Sequence, residues 1–314
     1  MKNDLVTVVI PCFNTEKFLK RCIDSILNQT YKHIEIIAID DCSTDNTFEV
    51  LTNVLTNVGV DTKIIRNETN SGVHFSRNIG ISLAKGKWIY FIDSDDYIDP
   101  LTFEKMLDFN NEPDAIFAGF DVVKTDIANT LFKKIYSIES QKLQLMFLVR
   151  KIKLLCPGTL YKTNFLKENN LFFEHLRWSE DQHFIWRVIE KASHISFLDA
   201  NCYHYYVNHS SIMWTTRPSK IIDAYPYFLE LGKHNWSNDK IKRFLAPRWV
   251  LGSLNAYSRM CLNFNEWLEL YKALDGKKSC NILLRFPNLS TRIISFICFL
   301  SPRIFFNICR RKGR

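Results

Sequence analysis

Short apolar runs alternate with stretches of helical spacing along the first 120 residues of the chain. The apolar runs are rich in β-branched side chains and predict strands at residues 6–10, 34–39, 63–66, 87–92 and 115–120. The stretches between them predict helices over residues 15–30, 44–58 and 73–84. Because strands that alternate with helices form mainly parallel sheets covered on both faces, we predict an α/β, Rossmann-like architecture.

The pattern loosens after residue 120. Residues 139–151 and 179–192 predict amphipathic helices, and Pro157-Gly158 predicts a turn between them. From about residue 216 onward, the chain predicts helices punctuated by prolines. The expected boundaries are 1–120 and 121–215 for the two halves of one domain, and 216–314 for a helical C-terminal region.

Polar and acidic residues follow each of the first four predicted strands. The segments are residues 11–14, 40–45, 66–72 and 93–96. The carboxyl ends of parallel strands meet at one edge of the sheet, and α/β sheets bind their ligands at that edge. We therefore expect a single site along it.

Three carboxylates, Asp93, Asp95 and Asp96, come directly after the apolar run. Like charges this close repel, and each is costly to desolvate unless a cation lies between them. The alternative is a solvated turn before Pro100. Oxygen ligands suit Mg²⁺ or Mn²⁺ held by one or two carboxylates plus substrate phosphates, so we predict a divalent metal site.

Two further acids, Asp40 and Asp41, end the second predicted strand at the same edge. Residues 43–45 are explained by capping of the helix that follows. Capping does not explain the adjacent acids before them, so we assign these to the site.

The composition is that of a folded protein in a reducing compartment. Hydrophobic residues make up 46% and charged residues 24% of the chain. The nine cysteines include no C-x-x-C pair, so we expect neither a disulfide framework nor a zinc ribbon. The N-terminal apolar run is too short for a signal sequence, and no run of about 18 apolar residues predicts a membrane span. We expect a cytoplasmic protein.

The net charge of +8 is concentrated near the C-terminus. Nine Lys or Arg residues and no acid follow Asp275, so the chain before residue 276 has a net charge of −1. A basic tail indicates an anionic surface, either membrane or nucleic acid. Because the rest of the chain is not basic and carries no recognition motif, we expect no nucleic-acid partner.

Residues 288–314 combine this charge with apolar bulk. The apolar residues between Ile293 and Leu300 are too few for the about 20 that a bilayer crossing needs. Pro302 is expected to begin a second helical segment with Ser301 as its cap. The arginines that recur on one approximate stripe are Arg285, Arg292, Arg303 and Arg310. We predict an element that lies on an anionic membrane, and the alternative is apolar packing against the rest of the chain with solvated arginines.

Residues 6–47 and 70–96, and the Trp-Ser-Glu-Asp segment at 178–181, resemble the family 2 glycosyltransferases, which are inverting sugar-nucleotide enzymes with the GT-A fold. The resemblance covers roughly the first 215 residues. It implies a GT-A domain with a helical C-terminal extension. Within that domain, 1–120 would be the nucleotide-sugar-binding half and 121–215 the acceptor half.

The resemblance also implies a nucleotide-sugar site. Its expected members are Pro11, Phe13, Asp41, Arg77, Asp93 and Asp95. Asp41 would accept from the uracil imide, and Asp93 and Asp95 would contact the ribose and a Mn²⁺ or Mg²⁺ ion. Asp96 would be a further metal ligand. Arg77 would lie near the nucleotide, with a surface helix charge as the alternative.

Glu180 and Asp181 match the family's acidic pair opposite the donor sugar. The resemblance implies that Asp181 is the base, with Glu180 as the second candidate. The alternative is a pair of acids placed by the dipole of a helix N-terminus. Many family members carry an arginine where this chain has residues 202–213, so His204 or His209 becomes the candidate for the diphosphate contact.

The resemblance finally implies an activity. We expect one hexose or N-acetylhexosamine to pass from a UDP-sugar, UDP-Glc or UDP-Gal being favoured, to a lipid-diphosphate-linked sugar acceptor. The product would be β-linked, in O-antigen or capsule synthesis at the inner face of the cytoplasmic membrane. Leu245 replaces the glutamine of the processive Q-x-x-R-W motif, which argues against a polymerising synthase. The alternative is a non-catalytic sugar-nucleotide or glycan-binding module on the same fold.

Overall fold

The computed structural model describes residues 4–109, 112–123, 133–207, 217–261 and 263–311. The described residues divide into two units. The first comprises those within 1–140, 153–175 and 180–208, and the second comprises those within 141–152, 176–179 and 209–314. The main division thus falls near the expected boundary at 215. Two short segments from the predicted acceptor half belong to the second unit instead.

The first unit is built on one sheet. Its strands are β1 (Val6–Cys12), β2 (Ile34–Asp40), β3 (Asp61–Arg66), β4 (Trp88–Phe91), β5 (Tyr97–Ile98), β6 (Ala115–Val123), β7 (Ile135–Ile138), β8 (Leu160–Lys162) and β9 (Ile195–Tyr206). The spatial order is β3-β2-β1-β4-β8-β6-β9-β5, and β7 also pairs with β9. Strands β1 to β4 pair in parallel, whereas β8 joins β4 and β6 in antiparallel register.

Helices cover this sheet and make up most of the second unit. They are α1 (Leu19–Leu27), α2 (Thr47–Leu55), α3 (Val73–Leu83), α4 (Thr102–Met106), α5 (Ser140–Leu148), α6 (Thr163–Glu168), α7 (Glu180–Lys191), α8 (Pro218–Lys233), α9 (Asp239–Met260), α10 (Phe264–Ala273), α11 (Gly276–Leu283), α12 (Leu289–Leu300) and α13 (Pro302–Arg311). In α1, Leu19, Cys22, Ile23 and Ile26 are the buried face, because they recur at helical spacing.

Packing of α3 on β1 sets the position of the functional residues that follow. A Cβ on Gly80 of α3 would lie 2.3 Å from Val9 Cγ1 of β1. Only glycine therefore allows the helix to approach this strand so closely. Strand β1 is buried along its whole length, as expected for the centre of a sheet covered on both faces.

The order β3-β2-β1-β4 reverses direction at β1, because β2 lies on one side of β1 and β4 on the other. Ligands of open α/β sheets bind at such a switch point, beyond the carboxyl ends of the strands. Residues 11–14 span the end of β1, and residues 93–96 follow β4, so both segments lie beside the switch point. The fold therefore brings the predicted edge together at one place.

Helix α12 in the second unit buries small residues and exposes large apolar ones, the opposite of an ordinary surface helix. Its buried positions are the small residues Thr291, Ser295 and Cys298. Its exposed positions are large and apolar: Leu289 (63% exposed), Ile293 (52%), Ile294 (40%), Phe296 (52%) and Leu300 (63%). The next helix begins at Pro302, as predicted, and the Ile304 N–H lies 3.5 Å from Ser301 Oγ.

Within the described ranges, no helix has both the length and the apolar character that a membrane crossing requires.

Candidate active site

The acids that end β2 are engaged by neighbouring loops. Asp40 is fully buried and pairs with Arg66 Nε at 3.2 Å. Asp41 is buried and accepts from Asn67 Nδ2 at 2.7 Å. The N–H groups of Ser71 and Gly72 donate to its two oxygens at 2.9 and 2.7 Å. Asp41 thus fixes the loop between β3 and α3.

Asp41 retains some capacity to bind a ligand. A carboxylate has about four acceptor positions, and three are used by these donors. Pro11 is buried in β1, and Phe13 is half-buried just after it. These three residues occupy the ends of adjacent strands, as the predicted base pocket requires.

The turn after β4 is held by a tyrosine from β9. The Tyr203 hydroxyl donates to Asp96 Oδ2 and accepts from the Asp93 N–H at 3.3 Å. The Tyr206 N–H donates to the other oxygen of Asp96 at 2.8 Å. Burial and the charges of Asp93 and Asp95 raise the pKa of Asp96 to about 9. Asp96 therefore anchors the turn through both of its oxygens.

Arg21 of α1 holds the same turn from another direction. Its Nη2 donates to the Asp95 carbonyl at 2.7 Å. Its guanidinium lies 4.9 Å from the Tyr97 ring centroid and 4.3 Å from that of Tyr206. The backbone that carries Asp93 and Asp95 is thus fixed by contacts from α1 and β9.

Arg77 lies between two groups of carboxylates. Its Nη2 donates to Asp93 Oδ1 at 2.8 Å, and its Nη1 lies 3.8 Å from Glu180 Oε1. The side chain is only 3% exposed. Burial alone would lower the pKa of Arg77, but the negative charges around it, Asp93 foremost, raise it above its usual value. Arg77 is therefore the internal counter-ion of the site.

An aromatic cluster supports this guanidinium. The Phe173 ring centroid lies 5.2 Å from Arg77 Cζ. Phe173 stacks on Phe184 of α7, with centroids 4.0 Å apart and planes 10° from parallel. It also meets Phe91 of β4 edge-on at 5.4 Å. These contacts fix the start of α7 relative to the end of β4, and so place both carboxylate groups around Arg77.

Glu180 and Asp181 form the first turn of α7. Burial and the adjacent Asp181 raise the pKa of Glu180 to about 7, against the opposing effect of Arg77. Burial likewise raises the pKa of Asp181, and Arg77 opposes that shift. A carboxylate with a raised pKa is a better proton acceptor near neutral pH. The pair therefore has the electrostatic character of a general base.

Asp93 and Asp95 fit a divalent ion that takes its other ligands from a substrate. They lie on one turn, and both are half-buried. Within the described part of the chain, no three His, Cys, Asp or Glu side chains are arranged to hold a metal by themselves. Mg²⁺ and Mn²⁺ sites with one or two carboxylates are completed by phosphate oxygens and water. Two oxygen donors at the end of β4 suit that arrangement.

The structure gives His204 a partner other than a substrate. Its ring is 1% exposed, and Nε2 lies 2.8 Å from Asp99 Oδ2. The Tyr97 ring packs on it with centroids 4.7 Å apart. Because this buried ring is already paired with Asp99, we leave His204 out of the proposal below. His209, the other candidate, lies outside the described residues.

Several residues of the site were not identified from the sequence. They are Arg21, Asn67, Phe173 and Tyr203. Tyr203 falls within a segment singled out for its histidines, but nothing in the sequence indicates which side chain points to the turn. Arg21 sits on an amphipathic helix, where an arginine is ordinarily a solvated charge.

Comparisons with known proteins identify relatives of this chain by sequence and by fold. A family model described as Glycosyl transferase family 2 matches residues 7–171, more than half of the chain. The poly(ribitol-phosphate) beta-N-acetylglucosaminyltransferase TarS of Staphylococcus aureus (strain MW2) is 30% identical over 206 residues. The matched region is 63% of this chain and 35% of that protein, so the chain spans about a third of the relative's length.

Two solved structures share the fold. The crystal structure of S. aureus TarS 1–349 in complex with UDP-GlcNAc matches with a TM-score of 0.72 and 21% identity, over 99% of this chain and 92% of that one. The mannosyltransferase PcManGT from Pyrobaculum calidifontis, in complex with GDP-Man and Mn²⁺, matches with a TM-score of 0.57 and 13% identity, over 98% and 86%. The GT-A architecture with C-terminal helices predicted from the sequence is confirmed.

Arg77→Met should destabilise the protein by about 1.5 to 3 kcal/mol at pH 8, because it leaves the half-buried carboxylates of Asp93 and Glu180 without their cation. Urea unfolding followed by circular dichroism measures this loss. Lys85→Met removes the exposed ion pair with Asp61, whose partners are 69% and 65% exposed, and should leave the stability close to that of wild type. Equal losses in the two variants would contradict the role given to Arg77.

Glu180→Gln should change how stability depends on pH. A raised pKa in the folded state means that the contribution of this carboxyl group is fully present below its unfolded value of 4.5 and is lost as the pH rises through about 7. The variant lacks this loss, so its free energy of unfolding relative to wild type should rise by about 1 to 3 kcal/mol between pH 5 and pH 8. Glu168→Gln, at an exposed position on α6, is the control. A wild-type pH profile in Glu180→Gln would refute the assignment.

Proposed function

The chain belongs to glycosyl transferase family 2, and from this we propose that it transfers one hexose or N-acetylhexosamine from a UDP-sugar to a hydroxyl group of a surface-glycan intermediate. The observation that carries the proposal is the arrangement of Asp93, Arg77 and Glu180 at the switch point of the sheet. As a family 2 glycosyltransferase the chain is an enzyme, so we do not retain the non-catalytic alternative.

The donor would bind along the edge formed by β1, β2 and β4. Pro11, Phe13 and Asp41 would hold the uracil base, with the remaining acceptor position of Asp41 on the imide. The S. aureus relative is named as a beta-N-acetylglucosaminyltransferase and was solved with UDP-GlcNAc. We therefore add UDP-GlcNAc to UDP-Glc and UDP-Gal as donors to test.

Asp93 and Asp95 would hold a Mn²⁺ or Mg²⁺ ion beside the donor diphosphate. When bound, such an ion would stabilise the negative charge that gathers on the leaving diphosphate. Arg77 is too deeply buried to wrap around the donor, and it already contacts Asp93 and Glu180. We propose that it positions these two carboxylates and stabilises the charge of the empty and loaded site alike.

Asp181 would take the proton from the acceptor hydroxyl. Burial raises the pKa of Asp181, which makes its carboxylate a better proton acceptor near neutral pH. Glu180 lies beside it and 3.8 Å from Arg77, and burial and the charge of Asp181 raise its own pKa to about 7. Direct attack by the activated hydroxyl on the face opposite the leaving group inverts the anomeric centre. An α-linked donor would therefore give a β-linked product.

We propose that the acceptor is a sugar on a lipid diphosphate and that α12 brings the enzyme to the membrane. The exposed apolar side chains of α12 are the arrangement that an interfacial helix requires. Arg285, Arg292 and Arg303 are exposed along the same part of the chain and would meet anionic headgroups. The S. aureus relative is named for poly(ribitol phosphate), a phosphodiester polymer, which makes this polymer the second acceptor to test.

Asp181→Asn should lower turnover by a factor of about 10² to 10⁴, because the amide keeps the shape of the side chain but cannot accept the proton. Transfer of radiolabelled sugar from each UDP-sugar to lipid-diphosphate-linked GlcNAc, or to poly(ribitol phosphate), measures this. Donor affinity should stay within a few-fold of wild type. Glu180→Gln should retain more activity, and a reversed order would exchange the roles of the two residues.

Chelation by EDTA should abolish transfer, and added Mn²⁺ or Mg²⁺ should restore it. Asp95→Ala should remain inactive at every metal concentration, because it deletes one of the two protein ligands. Asp108→Ala, at an exposed carboxylate away from the β4 turn, is the control and should behave as wild type. Full activity of the wild-type enzyme in EDTA would refute the metal assignment.

The double variant Ile293→Ser/Phe296→Ser should co-sediment with anionic vesicles at least about tenfold less than wild type, because each side chain loses about 1.5 to 3 kcal/mol of apolar burial. Binding of the wild type should weaken at high salt. Leu229→Ser, at a 39% exposed position on α8, is the matched control. Equal vesicle binding by the double variant and wild type would show that α12 does not contact the membrane.

A further inference from the structure

The second unit contains a cavity with three arginines along one side. Its volume is about 140 Å³. Arg248 and Arg259 come from α9, and Arg150 comes from the residues that follow α5. None of the three makes an ion pair or side-chain hydrogen bond with another described residue, and Arg248 Nε is buried without a partner. The cavity therefore concentrates positive charge that nothing within the described residues neutralises.

The backbone of α9 is shaped to admit these side chains. Arg248, Gly252, Asn255 and Arg259 lie on one face of the helix, at intervals of four, three and four residues. A Cβ on Gly252 would lie only 2.9 Å from Arg150 Nη2. The missing side chain of Gly252 is thus the gap in which the Arg150 guanidinium rests, between the two arginines of α9.

Arg150 also occupies a backbone position that favours glycine. Its φ is +58°, in the left-handed region. The Arg150 N–H donates to the Phe147 carbonyl at 3.1 Å, and the Lys151 N–H donates to that of Met146 at 2.8 Å. This pair of bonds is the Schellman motif, which commonly ends in glycine at this position. An arginine here accepts backbone strain, which indicates a need for its side chain.

The electrostatics of the cluster match its geometry. Burial and the charge of Arg150 lower the pKa of Arg248 to about 9, which still leaves the guanidinium charged at pH 7. Burial and the charge of Arg259 lower the pKa of Arg150 in the same direction. Arg248 and Arg150 are each next to another cation, and a bound anion would relieve the repulsion between these neighbours.

Most of the remaining lining of the cavity is apolar, and Asn255 and Thr291 are its polar members. The large apolar side chains are Leu251, Ile294, Ile297, Phe305 and Ile308. Ile294 and Ile308 are also 40% exposed, so the cavity opens on the same surface as the apolar face of α12. A cavity that joins a cationic wall to an apolar wall suits an anion attached to a hydrocarbon chain.

We propose that the cavity framed by Arg150, Arg248 and Arg259 binds the phosphate group of a lipid, with the apolar walls taking the first carbons of its chain. At about 30 Å³ for one water molecule, the cavity of about 140 Å³ has room for a phosphate group and the first few carbons attached to it, so the rest of the chain would lie along α12. This inference rests on the proposed membrane acceptor and names the chemistry by which the second unit would recognise it.

Isothermal titration of the full-length protein with farnesyl phosphate, below its micelle concentration, tests the proposal without measuring sugar transfer. Farnesyl phosphate should bind at least about tenfold more tightly than inorganic phosphate, and farnesol should not bind measurably. The titration measures binding and not sugar transfer. A negative transfer assay would therefore not affect the conclusion about lipid binding, and a negative titration would not affect the conclusion about sugar transfer.

Three variants should separate binding from folding. Arg150→Gly removes one cation and relieves the strain of the left-handed backbone at this position. The melting temperature should therefore stay the same or rise, while the affinity for farnesyl phosphate should fall at least about tenfold. Gly252→Ala should displace the Arg150 side chain. It should also keep or raise the melting temperature and weaken the binding of farnesyl phosphate. Arg248→Gln should also weaken binding. Arg243→Gln, on an exposed part of α9 outside the cavity, should stay within about twofold of wild type.

Three outcomes would overturn the proposal. Equal affinity for inorganic phosphate would show a site for the free ion. Binding of poly(ribitol phosphate) in place of farnesyl phosphate would show a site for a polymer. Unchanged farnesyl phosphate affinity in the Arg150, Gly252 and Arg248 variants would show that the lipid binds elsewhere.

Discussion

The buried guanidinium of Arg77 is the interaction on which the arrangement of the first unit depends. Asp93 follows the central strand β4, and Glu180 begins a helix almost ninety positions later in the sequence. Repulsion would separate these carboxylates if no cation lay between them. Arg77 removes the repulsion, and the ring of Phe173 beneath it excludes water from the contact. The proposed donor-binding edge and the proposed base can therefore share one small volume.

The acids of this edge divide into two groups by their hydrogen bonds. Asp40, Asp41 and Asp96 are buried. Their carboxylates accept hydrogen bonds or ion pairs from neighbouring loops and strands. Asp93 and Asp95 remain half-buried on the turn that Asp96 holds in place. The buried carboxylates give the loops around the site their rigidity, and the half-buried pair is partly accessible from outside. Rigidity of this sort is what an electrostatic site needs, because fixed charges do not have to reorganise during reaction.

The sequence was sufficient for the strands and helices with strong periodicity. The five predicted strands correspond to β1, β2, β3, β4 and β6, and the intervening helices to α1, α2 and α3. Strands β5 and β8 have two and three residues, which is too short for any period to emerge. The contacts of Arg77 with Glu180 and of Tyr203 with Asp96 join residues about a hundred positions apart, and no local pattern encodes them. The acids of the site were visible because they cluster in sequence, whereas their partners do not.

At the exposed apolar positions of helix α12, substitutions that improve stability in water are expected to reduce activity. On an ordinary surface helix, replacing an exposed Leu, Ile or Phe by a polar residue is neutral or improves solubility. At Ile293, Phe296 or Leu300 the same replacement would give a better-behaved protein in water and, if the helix docks as proposed, a poorer enzyme in the cell. Engineering for expression or thermal tolerance would therefore select against the surface that we propose docks on the membrane. Any stabilised version of this chain has to be judged in the presence of lipid.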